Sequence, residues 1–128
     1  MVEINNLTTV SIDEEFLKKV AEKVLEGEKA KGELSIALVG QGRIRELNKK
    51  YRGKNRVTDV LAFPSNGLGE IVICLREVKK NAKRFGSSFE KELATCLIHG
   101  ILHLLGYDHE KMGEKQKYYL SICLKATS

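Results

Sequence analysis

The segment from Ser87 to Gly106 constrains the fold more than any other part of the chain. Ser87 and Glu90 have the spacing of a capping box, which opens a helix. Leu93, Leu97, Ile101 and Leu104 then recur at helical spacing and point inward, and Gly106 supplies the stop. This is the central helix, and the rest of the chain has to cover it. "ELSIALVG" at 33–40 is a continuous apolar run closed by glycine, the pattern of a buried strand. "VTDVLAFP" at 57–64 reads as a strand stopped by the only proline. "SNGLG" at 65–69 has hairpin-turn chemistry, and "EIVICL" at 70–75 reads as the partner strand. Positions 2–7 suggest a first strand, weakened by Asn5 and Asn6.

Further helices are expected between and after these strands. Ser11 and Glu14 form a second capping box, followed by Phe16, Val20 and Val24 on one face and Gly27 as a stop. Ile44, Leu47 and Tyr51 share one face of a short helix ended by Gly53. Val78, Ala82 and Phe85 mark a helix that Gly86 closes. From about Lys115, the spacing of Leu120, Cys123 and Leu124 predicts a last amphipathic helix. Strands and helices do not alternate strictly. The expected fold is therefore α+β, a small mixed sheet of about four strands covered by about five helices. At 128 residues the chain fits one domain, 1–128, able to bury a core without cross-links.

Hydrophobic content of 42% and charged content of 30% are those of an ordinary globular domain. No apolar run approaches the ~20 residues that span a bilayer. The start "MVEINNLTTV" has no basic, then apolar, leader. Cys74, Cys96 and Cys123 are odd in number and widely spaced, with no Cys-x-x-Cys pair, which argues against a thiolate zinc knuckle. All three fall in apolar stretches and read as buried thiols of a reducing cytoplasm, with no membrane partner.

The chain has three histidines, all within "HGILHLLGYDH" at 99–109. His99 and His103, four apart on the central helix, present both imidazoles on one face. Gly106 can turn the chain back and bring His109 to the same point. Three imidazoles can share one tetrahedral ion and leave its fourth position to water, the pattern of catalytic zinc. One Zn2+ per chain is the expectation, with Ni2+ or another divalent transition metal also compatible with imidazole.

Two families use this histidine spacing. The metzincin proteases have H-E-x-x-H-x-x-G-x-x-H. The chain matches at each histidine and at the glycine, but Gly100 stands where the protease has its general-base glutamate. Nor is there a methionine turn, since Met112 follows His109 by only three residues. The second match is closer. "HGILHLLGYDH" resembles H-G-x-L-H-L-x-G-Y-D-H, the signature of the YbeY family of bacterial metal-dependent endoribonucleases in ribosomal RNA maturation. "LNKKYRGKNRVTDVLAFP" at 47–64 and "GEIVIC" at 69–74 resemble two further blocks of that family, in the same order. Three positions depart from it: Glu70 stands for the usual Asp, Ala62 for the usual Ser, and the 65–69 connection is short.

The resemblance implies cleavage of single-stranded RNA. Ribosomal RNA is the implied substrate, and the small ribosomal subunit or its assembly factors are the implied partners. Hydrolysis of a phosphodiester needs positive charge against the developing phosphoryl oxygens. Arg52 is the candidate, because a guanidinium stays protonated and grips two oxygens at once, and the matching family arginine is held to be functional. Glu70 is a candidate proton acceptor. Lys50, Lys54 and Arg56, with Lys49, form a basic run leading into the same block and are candidates for contacting RNA. Lys79, Lys80, Lys83 and Arg84 read as a solvated helix face. Thr58 and Asp59 read as buried hydrogen-bonding groups, and Tyr107 as turn packing. Asp108 is either a turn carboxylate or a partner of a ligand imidazole. Net charge of +5 permits an anionic partner without requiring one. Two other readings remain: a protease-like hydrolase using the same zinc, and a non-catalytic, metal-stabilised RNA-binding assembly factor.

Overall fold

The computed structural model describes residues 1–125, which form four strands and five helices. In chain order these are β1 (Val2–Asn6), α1 (Glu14–Gly27), β2 (Leu34–Val39), α2 (Gln41–Arg52), β3 (Val60–Phe63), β4 (Gly69–Cys74), α3 (Leu75–Arg84), α4 (Phe89–Leu104) and α5 (His109–Lys125). The sheet order is β1-β2-β4-β3. The first three run parallel, and β3 pairs antiparallel with β4 on one edge. This is the α+β fold with a mixed sheet that the sequence predicts.

Alternation along the strands divides the core between the two faces of the sheet. Leu34, Ile36, Leu38, Ile71 and Ile73 pack on one side with residues of α1 and α4. Ala37, Val39, Val72 and Cys74 point to the other side and meet Ile44 of α2. Helix α4 lies very close to the sheet. A Cβ on Gly100 would stand 3.0 Å from the Ile71 side chain, so glycine is what lets this turn of the helix settle there. The three cysteines are buried and unpaired, as expected.

Several boundaries differ from the sequence reading, each for a local reason. Asp13, not Ser11, caps α1, its carboxylate accepting the Phe16 amide at 3.1 Å. Ser88, not Ser87, caps α4, accepting the Lys91 amide at 3.1 Å. Adjacent polar residues compete for one cap, and the spacing rule does not choose between them. Gly27 does end α1, as the sequence reading has it, but without a left-handed turn of its own. It is the last helical residue, and a side chain there would collide with the Tyr119 hydroxyl at 2.4 Å. Lys29 takes the left-handed turn instead, at φ 54°. The strand read at 57–64 is regular only over Val60–Phe63. Helix α5 begins at His109, well before Lys115, because Asp108 caps it by accepting the Lys111 amide at 3.0 Å. Of the helix face shared by Ile44, Leu47 and Tyr51, Ile44 is buried and Tyr51 is 57% exposed.

Candidate functional site

Two features bring the histidines together. Helix α4 carries His99 and His103 on its sheet-edge face, one turn apart. It ends in a Schellman turn: the Tyr107 amide donates to Leu102 O at 3.1 Å and the Gly106 amide to His103 O at 3.1 Å. Gly106, at φ 91°, occupies the left-handed position of that turn. The chain reverses there and Asp108 starts α5, so His109 is the first helical residue rather than part of a loop. The three ring centres form a near-equilateral triangle with sides of 6.4, 5.9 and 6.4 Å. His99 is half-buried, whereas His103 and His109 are exposed, so the triangle opens to water.

Three ring nitrogens at ~2.0–2.1 Å from one tetrahedral ion put the ring centres roughly 5 Å apart. The observed triangle is wider by about an ångström on that estimate, a gap that side-chain torsions can close. Among the described residues no three His, Cys, Asp or Glu side chains already meet at ligand distances. The donor set nevertheless suits a transition-metal ion. Gln116 Oε1 lies 3.1 Å from His99 Nδ1. With Nδ1–H donated to that oxygen, the Nε2 lone pair is left for a ligand. Desolvation at the cleft wall, then the charges of His99, Arg52 and His109, lower the His103 pKa and favour the neutral imidazole that binds metals.

The same cleft, about 200 Å³, contains Arg52. This residue ends α2, and its guanidinium donates to Ala62 O at 2.8 Å, crossing the open edge of β3. Gly100 also lines the cleft, and no carboxylate does. Glu70 is not brought to the histidines. It is exposed and, with Val72, projects from the sheet face opposite Ile71 and α4, in a recess with Glu3 and Glu33. Lys50, Lys54 and Arg56 are exposed, and none lines the cleft. Asn48, only 3% exposed, ties their loop down by donating to Arg56 O at 3.0 Å. Asp59 accepts the Cys96 thiol at 3.5 Å and the Asn81 amide at 3.4 Å, the structural role expected of it. Asp108 is the helix cap rather than a partner of an imidazole.

Sequence reasoning missed Gln116 and a second carboxylate that fixes the turn before His109. Glu28, at the end of α1, has a side chain only 7% exposed. It accepts hydrogen bonds from the hydroxyls of Tyr107 and Tyr119 and an ion-paired bond from Lys115 at 2.9 Å. No periodicity or motif links residues so far apart in sequence. Burial pushes the Glu28 carboxyl up, but the bonds from Tyr107, Tyr119 and Lys115 outweigh it and hold the pKa below its ordinary value. A carboxyl with a lower pKa folded than unfolded lends stability that is complete above the unfolded value, ~4.3. That stability is lost as pH falls through the folded value. Urea midpoints at about pH 7 and about pH 3 are therefore expected to fall less for Glu28→Gln than for the parent chain. Equal falls in both proteins would contradict this account.

Fold and cleft define a class of protein: a small α+β unit that gathers three imidazoles and an arginine beside the free edge of a mixed sheet. The family model Endoribonuclease YbeY matches residues 3–120, and the chain belongs to that family. A Thermotoga maritima protein named Endoribonuclease YbeY is 44% identical over 116 residues, covering 83% of this chain and 77% of its own. A namesake from Petrotoga mobilis is 46% identical over 121 residues, covering 89% and 83%. The solution structure of a Thermotoga maritima protein superposes with a TM-score of 0.77 at 39% identity, covering 98% of this chain and 91% of the other.

Proposed function

We propose that this chain is a metal-dependent endoribonuclease that hydrolyses single-stranded RNA during maturation of small-subunit ribosomal RNA in the cytoplasm. Membership of the Endoribonuclease YbeY family supports the nuclease activity. The observation that carries the reading is the convergence of Arg52 with His99, His103 and His109 on one small cleft. The three histidines would hold one zinc or similar divalent ion, which when bound supplies an acidified water at neutral pH. Arg52 would bind the phosphodiester and orient it, its fixed positive charge countering the charge that grows on the phosphoryl oxygens. Gln116 would hold His99 in the ligating tautomer. A cleft of this size suits a strand that can enter alone better than a duplex. The edge strand β3 borders it. With Gly100 in place of a carboxylate, the cleft lacks the general base of a zinc peptidase.

The test compares single-stranded RNA, duplex RNA and casein as substrates for purified protein, before and after chelation. Cleavage of the single strand that disappears with chelator and returns with zinc is expected. Casein cleavage with RNA left intact would overturn the proposal.

A further inference from the structure

Tyr51 and Phe63 form an edge-to-face pair with ring centres 5.3 Å apart and planes at 62°. Such a pair normally earns its place by burial, yet Tyr51 is 57% exposed. Two cations flank it. The Lys50 ammonium lies 5.3 Å from the Tyr51 ring centre, and the Arg52 guanidinium 5.8 Å from that of Phe63. Arg52 is also the cation of the histidine cleft, and Phe63 directly follows Ala62, whose carbonyl holds it. The aromatic pair and the cleft therefore sit on the two sides of one guanidinium, along one edge strand.

We infer that Tyr51, backed by Phe63, is a stacking platform for a nucleobase of single-stranded RNA, one belonging to a nucleotide next to the bond that is cut. The inference rests on the nuclease reading above and adds a subsite to it. Single-stranded nucleic acid is held by aromatic faces set among cations, because every base has a π-face and every linkage a negative charge. Both are present here within one short stretch, Lys50–Arg52 plus Phe63. A phosphate drawn to Arg52 leaves its neighbouring base over the rings, while the flexible Lys50 can follow the next phosphate. The platform reads no base identity, since neither ring supplies a pattern of donors and acceptors to a base edge.

The experiment uses full-length chain and a short single-stranded oligoribonucleotide, intact or with one abasic nucleotide beside the cleaved bond. Tyr51→Ala is expected to raise KM by about 5- to 150-fold, the range that loss of one stacked base produces. Its kcat should change far less, and Tyr51→Phe and Tyr51→Trp should restore KM. The abasic substrate should cost wild type a similar factor and cost Tyr51→Ala nothing more. The chain has no tryptophan of its own, so Tyr51→Trp also gives a single reporter whose fluorescence the intact oligonucleotide should quench. RNA cut by Tyr51→Ala with unchanged KM would overturn the platform and leave the nuclease reading standing. Wild-type protein that cuts no RNA would sink the nuclease reading itself. Should Tyr51→Ala fail to fold, the tryptophan variant decides, and absence of quenching rejects the platform.

Discussion

His103→Ala protein is expected to carry almost no metal, against about one ion per wild-type chain, and to lose RNA cleavage by several orders of magnitude. The size of the effect follows from the triangle. His103 supplies one of three imidazoles, and His99 and His109 face each other across 5.9 Å with no other His, Cys, Asp or Glu lining the cleft to replace it. Two nitrogens without a third donor hold a divalent ion poorly. The fold itself should survive, because His103 is exposed and its helix is anchored by Leu97, Ile98, Ile101 and Leu102. Elemental analysis and a melting curve on the same sample check both statements. Wild-type metal content in the variant would show that the three rings are not a common site.

Arg52→Ala is the second large effect, and its signature is different. Metal content should stay near that of wild type, since the guanidinium is no ligand. Turnover should fall by about 10²- to 10³-fold, the usual consequence of losing one group aimed at developing negative charge. Arg52→Lys should recover only part of this. A lysine ammonium is a single point and cannot hold Ala62 O and two phosphate oxygens in the planar geometry of the fork. Steady-state kinetics on RNA with parallel metal analysis separates the two substitutions. Arg52→Ala that retains full turnover would leave the cleft without its proposed phosphate contact.

The contrast between these residues also explains what the sequence could reveal. His99 and His103 are local: four positions on one helix fix their relation before any tertiary contact forms. His109 is nearly as local, because Gly106 marks the turn, although the sequence places it in a loop and the structure at the head of α5. The layered α+β fold follows from apolar runs and stops that are likewise local. Arg52 is found only through its resemblance to a known block, since nothing in its neighbourhood foretells that it crosses β3. Gln116 and Glu28 are invisible for the same reason in stronger form. Their partners lie on other helices, and polar contacts between helices obey no spacing rule. Tyr51 shares its helix face with Ile44 and Leu47, yet it is exposed. Periodicity marks a face but not its depth: Ile44 is buried against the sheet, whereas in the last turn of α2 Tyr51 meets the Phe63 ring and still stays open to water.

The bond from Arg52 to Ala62 O also bears on how the chain avoids sticking to itself. Asp59 O accepts the Cys74 amide, so with antiparallel pairing Ala62 opposite Ile71 turns its own amide and carbonyl away from β4, toward the rim of the sheet. Such a rim is a template on which a stray extended chain can crystallise into an added strand. By occupying that outward carbonyl, the arginine plugs the template. One side chain thus covers an outward carbonyl of the edge strand while its guanidinium lines the histidine cleft, and losing this residue would leave that edge more open to an added strand.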